Sequence, residues 1–142
     1  MKIVIKELTK FNEIAATFPL LKQRYPELSK KSFDAKIKEM MKLNNFKMIA
    51  AFANKEMVGV CGYWVAMMLY CSRYMQLSSF FVDEKSRSLG VGKEILTYLE
   101  NKAKKLKCEK LVLDSNVENK KSHPLYFREN FYIRGYHFMK DL

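Results

Sequence analysis

The segment from Tyr74 to Asp114 constrains the fold of this chain more than any other. It opens with YMQLSSFFV and the turn DEKSRSLGVG, continues with Val91, Ile95, Leu99, Ala103 and Leu106 apolar at helical spacing, and closes on the short apolar run KLVLD. Strand, helix and strand in that order require a crossover connection, so the two strands lie parallel and the helix covers one face of the sheet in the right-handed sense. KLVLD is continuous rather than alternating, as suits a strand buried on both faces. A chain with only five glycines places two of them, Gly90 and Gly92, at the mouth of that helix. Glycine costs a helix roughly 0.5–1 kcal/mol relative to alanine, so bare backbone there implies the close approach of a ligand or of another part of the chain.

The flanking sequence supplies the rest of the sheet. KIVIKEL alternates as a first strand, and Thr9 is the expected cap of one helix with Phe11, Ile14, Ala15, Phe18 and Leu21 inward, ended by Pro26. Ser29 or Ser32 caps a second helix, where Phe33, Ile37, Met40 and Met41 form one stripe and Lys30, Lys31, Lys36, Lys38 and Lys42 the other. FKMIAAFA and MVGVCGYWVAMML, separated by Asn54, Lys55 and Glu56, read as a hairpin, and a second turn at Cys71 to Arg73 leads into YMQLSSFFV. These three strands form an antiparallel meander. After KLVLD come a short helix from about Ser122 and a terminal strand from about Phe131, with Asn130 in the left-handed conformation between them. No linker or repeat interrupts residues 1–142, so the expectation is a single α/β domain with a mixed sheet.

The turn RSLGVG, Arg87 to Gly92, exposes successive N–H groups at a positive helix end, which makes a concavity for phosphate. Arg87 and Lys93 flank it with formal charge, and a pyrophosphate fits better than a single carboxylate. The Walker loop fails, because Glu94 follows Lys93 where that motif needs Ser or Thr. The dinucleotide fingerprint fails as well, with Ile95 at its third glycine.

Charge and composition exclude several classes. The amino terminus turns polar too soon for a signal peptide, and no apolar run approaches the roughly 20 residues of a membrane span, so a soluble, cytoplasmic protein is expected. Cys61, Cys71 and Cys108 lack metal-ligand spacing and read as reduced, mostly buried thiols. Two histidines and no paired carboxylates give no support to a metal site or a Ser-His-Asp triad. The net charge is +11, and residues 1–47 contribute strongly, with eleven Lys or Arg against five acids. A solvated surface explains this more simply than a polyanion site, although Lys30, Lys31 and Lys38 lining an acceptor cleft is the functional alternative.

Order of elements and motifs together resemble the GNAT acyl-CoA N-acyltransferases. Arg87, Gly90 and Gly92 satisfy the family's cofactor motif [Q/R]xxGx[G/A], and SHPLYFRENF is similar to its late segment AHxFYxxxGF through His123, Tyr126 and Phe131. Ser122 and Asn130 depart from it where alanine and glycine are commoner. The resemblance implies six or seven strands flanked by about four helices, with the sheet splayed between YMQLSSFFV and KLVLD to admit a pantetheine arm. It further implies acetyl-CoA as acyl donor, bound at Arg87, Ser88, Leu89, Gly90, Val91, Gly92 and Lys93, where the backbone N–H groups of Leu89 through Lys93 take the pyrophosphate, with Phe81 and Val82 pairing to pantetheine and Asn116 and Asn119 as amide partners. As loop residues, Asn116 and Asn119 have an equally good structural explanation.

The implied reaction is direct attack of a neutral amine on the thioester, with a backbone N–H near Phe81 stabilising the oxyanion and Tyr126 protonating the departing thiolate. Ser78 and Ser79 stand where many members carry a carboxylate base, so a water, Glu118 or an amine of lowered pKa is left for that role. His123 fits a packing or helix-start position better than a base. The acceptor, a small molecule or a peptide or protein amine, is open, as is the choice between monomer and homodimer. Two rival readings are a CoA-binding regulatory module without catalysis and, more weakly, a basic nucleic-acid-binding protein.

Overall fold

The computed structural model describes residues 2–142. Its centre is a five-stranded sheet in the order β1-β2-β3-β4-β5, built from Ile3–Leu8, Lys47–Ala53, Glu56–Met68, Ser72–Val82 and Lys110–Leu113. The first four strands pair antiparallel and β5 pairs parallel to β4, as the crossover requires. Asn54 and Lys55 join β2 to β3 with φ of 50° and 67°, the double left-handed turn that matches strand twist.

Both faces of the sheet are covered. On one, α4 (Val91–Lys105) sets Val91, Ile95, Leu96 and Leu99 on Ile49, Ala51, Cys61 and Met75. On the other, α1 (Phe11–Ala15), α2 (Phe18–Arg24) and α3 (Lys30–Asn44) bring Ile14, Leu21, Phe33 and Ile37 onto Phe46, Met48, Ala50 and Val60. Alternate β2 residues thus serve opposite cores, which is why its sequence reads as an unbroken apolar run. Across the α4 face, the Glu7 carboxylate accepts from the Tyr63 and Tyr98 hydroxyls, each at 2.8 Å, and pairs with Lys102 Nζ at 2.8 Å. Burial acts to raise the Glu7 carboxyl, but these donors outweigh it and hold it below the ordinary range.

Three expectations are corrected. The helix expected from Thr9 is two helices, because Pro19 in the first turn of α2 cannot continue a preceding helix, and the buried Thr17 hydroxyl bonds back to the Ile14 carbonyl at 2.6 Å. The cap is not the Thr9 side chain: Glu13 accepts the N–H of Lys10 at 3.0 Å and that of Thr9 at 3.3 Å. The terminal strand is not formed, so the sheet has five strands rather than six or seven. Residues 132–142 run exposed, since β5 is only four residues long and half-buried and gives them little ladder or apolar surface to join. Ser29, by contrast, caps α3 as expected, accepting from Ser32 N–H at 3.1 Å.

Candidate active site

The order of β4 and β5 determines where the sheet opens. Their pairing runs from Tyr74–Lys110 to Leu77–Leu113 and stops there, while β4 continues to Val82. Just past the last pair, Ser79 adopts φ of 54° and the β3–β4 register shifts between Val60 and Gly62, a bulge that turns β4 away from β5. Beyond it, the β4 edge facing away from β3 has no strand partner. The gap is a small cleft of about 90 Å³ lined by Ser78, Ser79, Phe80, Asp114, Asn116, Asn119 and Tyr126, among others.

At the end of β4 lies the glycine turn. A short 3₁₀ turn, Glu84–Ser86, leads through Arg87 to Gly90, which caps α4 with φ of 83°. The first bond of α4 runs from Glu94 N–H to the Gly90 carbonyl at 3.1 Å, and the N–H groups of Ser88 through Lys93 find no acceptor among the described residues. A row of free N–H groups at a helix N-terminus has the geometry to accept an anion.

The two glycines have different reasons to be there. A Cβ on Gly90 would meet nothing within 4 Å, so this position needs the left-handed backbone and leaves space for a ligand. A Cβ on Gly92 would stand 2.9 Å from Leu125 Cδ2, so this glycine seats α5 (His123–Arg128) against α4. Arg87 is exposed, but its guanidinium turns back over the Phe81 ring at 5.5 Å and its Nε donates to the Val82 carbonyl at 3.4 Å. It braces the turn as well as adding charge. Phe81 is buried under α1–α3 and Val82 half-buried, and neither lines the gap.

Tyr126 reaches the gap from α5. Its ring packs on Phe80 at 6.3 Å and on Phe131 at 6.0 Å. Asn130, at φ of 67°, ends α5 and lets Phe131 N–H bond to the Tyr126 carbonyl at 2.9 Å, as expected for that asparagine. Burial pushes the Tyr126 phenol above its ordinary range; the Cys61 thiol adds to the rise, while the Ser122 hydroxyl and the Arg24 guanidinium oppose it. The phenol is a reservoir of one proton at neutral pH.

Asn116 and Asn119 line the gap and also hold its loop: Asn116 Oδ1 accepts from Glu118 N–H at 3.0 Å, and Asn119 Oδ1 from the Ser122 hydroxyl at 3.3 Å. His123 is a tether, its Nε2 lying 3.1 Å from Ser115 Oγ and 3.2 Å from the Asn116 carbonyl. Glu118 is exposed and outside the lining; the gap's own carboxylate is Asp114, which accepts from Gln76 Nε2 at 3.3 Å and lies 3.4 Å from His137 Nδ1.

Sequence reasoning missed a second, larger cleft. It measures about 660 Å³ and lies between α2–α3 and the sheet, with Leu21, Phe33, Ile37, Met40, Phe46 and Met48 among its walls. Arg24, Tyr25 and Ser79 line both clefts, so the two adjoin at the β4 bulge. Its cations are Arg24 and Lys36, not the expected Lys30, Lys31 and Lys38, which are outside it. Lys30 instead pairs with Asp34 on its own helix. Among the described residues no group of three His, Cys, Asp or Glu side chains is arranged to hold a metal, and no helix is long and apolar enough to cross a membrane.

A family model described as the acetyltransferase (GNAT) family matches residues 12–131. Over 141 residues the chain is 23% identical to the uncharacterized N-acetyltransferase YhdJ of Bacillus subtilis (strain 168), with 99% of each chain covered. Among solved structures, a transcriptional regulator from Bacillus halodurans superposes with a TM-score of 0.83 at 18% identity, covering 99% of this chain and 100% of that one. The aminoglycoside N-acetyltransferase AAC(6')-Iy, in complex with CoA, gives 0.82 at 17% identity, covering 99% and 95%.

Proposed function

The chain belongs to the GNAT acetyltransferase family, and on that premise we propose that the α4 N-terminus holds the pyrophosphate of acetyl-CoA and that Tyr126 is the acid of the transfer. The chain is an acyl-CoA-dependent N-acetyltransferase, with acetyl-CoA as co-substrate and an amine as acceptor. We take residues 1–142 to act as one domain, in a cytoplasmic setting that suits three free thiols. One observation carries the assignment of the donor site: the unpaired N–H groups of Ser88 through Lys93 lie beside the point where β4 and β5 part. The pyrophosphate takes those N–H groups, and the pantetheine arm runs from them along the free edge of β4 at Phe81 and Val82 before it enters the gap beside Asn116 and Asn119.

The chain's own groups then do three things. Backbone N–H groups of β4 next to the bulge steady the charge that develops on the thioester oxygen. Packing on Phe80 and Phe131 keeps the Tyr126 hydroxyl in the gap, where it gives its proton to the departing thiolate. Ser78 and Ser79 bring no carboxylate, so the attacking amine arrives neutral. Calorimetry with Gly90→Val tests the donor site. The new Cβ meets no protein atom within 4 Å and the left-handed backbone costs an L residue about 1–2 kcal/mol, yet the side chain crowds the N–H row. Acetyl-CoA affinity should fall at least tenfold in a folded variant; unchanged affinity removes the assignment.

A further inference from the structure

The larger cleft, resting on the transferase reading, identifies the acceptor by its chemistry. Seven of its fifteen lining residues are leucine, isoleucine, methionine or phenylalanine, and about 660 Å³ is ample for a bulky apolar group. Its charged lining is Arg24, Lys36 and Glu27, two cations against one acid, all three exposed. Arg24 has no ion pair among the described residues; its guanidinium rests over the Tyr25 ring at 5.4 Å, beside the bulge where the clefts adjoin. A polycationic acceptor would meet two like charges here and a single carboxylate. A purely apolar amine would leave Arg24 unused.

We propose that the acceptor is an α-amino acid with a large apolar side chain: the side chain lies between α2–α3 and the sheet, the carboxylate pairs with Arg24, and the α-amine meets the acetyl group at Ser79. A guanidinium takes a carboxylate through two parallel N–H bonds, which fixes the amine two bonds from the carboxylate carbon. Neutralising the carboxylate also withdraws the charge that keeps a free amino acid's ammonium protonated. The amine then titrates nearer the roughly 7.7–8.0 of an α-amino group without a neighbouring carboxylate, so a useful fraction is neutral at pH 7.5 and no carboxylate base on β4 is needed. In the transfer the nitrogen bonds to the acetyl carbon, the carbon–sulfur bond breaks, and the proton lost by nitrogen is balanced by the one gained by sulfur. The products are an N-acetyl amino acid and the CoA thiol.

The test measures thiol release by the full chain with acetyl-CoA and L-phenylalanine, L-leucine, their carboxamides, glycine or spermidine. The expected kcat/KM for the two amino acids is at least tenfold above every other acceptor, and Arg24→Gln should raise their KM at least tenfold while leaving the carboxamides within twofold. Carboxamides or spermidine used equally well, or Arg24→Gln affecting acid and amide alike, would overturn the proposal. Amide NMR with N-acetyl-L-leucine and with CoA, added separately, distinguishes it from the reading beneath it. Shifts along α2, α3 and β2 with the product support the acceptor class even if CoA leaves Ser88–Lys93 unmoved, which would sink the donor site alone. Shifts at Ser88–Lys93 with CoA and none in the cleft with the product sink the acceptor class alone.

Discussion

Replacing Gly92 with alanine should separate the two roles that a glycine at this turn can play. The added Cβ would stand 2.9 Å from Leu125 Cδ2 and 3.6 Å from Phe80 Cζ. Ordinary carbon contacts begin near 3.5 Å, so the Leu125 methyl must retreat by about 0.5 Å or more. Overpacking of this kind costs about 1–3 kcal/mol, against which alanine recovers up to about 1 kcal/mol of helix propensity. The net expectation is a loss of about 1 kcal/mol, or about 3 °C in Tm for a chain of this length. The functional effect should be larger. Leu125 and Tyr126 are adjacent on α5, so a displaced Leu125 moves the phenol, and small misplacements at a reacting centre can cost up to about 100-fold in rate. Steady-state kinetics should therefore show kcat lowered about tenfold, while calorimetry finds the acetyl-CoA Kd within about twofold because no N–H is removed. A Gly92→Ala protein with normal kcat and Tm but acetyl-CoA affinity reduced tenfold would refute this reasoning and make Gly92 a site of ligand approach.

Three further outcomes are expected. Tyr126→Phe keeps the ring and its packing, so acetyl-CoA affinity should hold while kcat drops roughly 10²–10⁴-fold; because burial raises the phenol above 10.0, the wild-type kcat should not decline before that pH, and a Phe variant with full kcat would reduce Tyr126 to packing. Glu7→Gln should cost about 1 kcal/mol by denaturant melts at pH 7, since it removes the pair with Lys102 and weakens two tyrosine hydrogen bonds. The carboxyl is depressed in the folded state, so its contribution is complete above its ordinary value of 4.5 and fades as pH falls through the lower folded value; a variant as stable as wild type at pH 7, with the same acid limb, would contradict this. Reversing Lys30, Lys31 and Lys38 together should leave acceptor KM unchanged, because none lines the cleft, and a tenfold change in KM would mean that their charge reaches it.

The parts of this fold that were legible from the chain are those governed by local periodicity. Val91, Ile95, Leu99 and Ala103 mark α4 because a helix repeats on that spacing, and the parallel β4–β5 pair follows from chain order and crossover geometry. Asn130 was readable because few residues accept a left-handed backbone without cost. Gly90 and Gly92 look alike as letters, and only the left-handed backbone of the one and the Leu125 methyl beside the other tell them apart. Residues 131–142 carry strand-like apolar content, but a strand exists only where an edge accepts it, and pairing is not written in one segment. Pro19 did signal the break between α1 and α2, but the apolar spacing from Phe11 to Leu21 masked it. The acceptor cleft was invisible because Arg24 and Tyr25 meet Ser79 only through the packing of α2 on the sheet.

Backbone amide NMR of the 16.8 kDa chain during an acetyl-CoA titration observes the very N–H groups proposed to hold the pyrophosphate. The amides of Ser88 through Lys93 should shift together and saturate with one binding constant, with a second group of shifts at Ser78 to Phe80 and at Asn116 and Asn119 along the gap. Saturable binding that moves amides elsewhere and leaves Ser88 to Lys93 at their free positions would contradict that assignment.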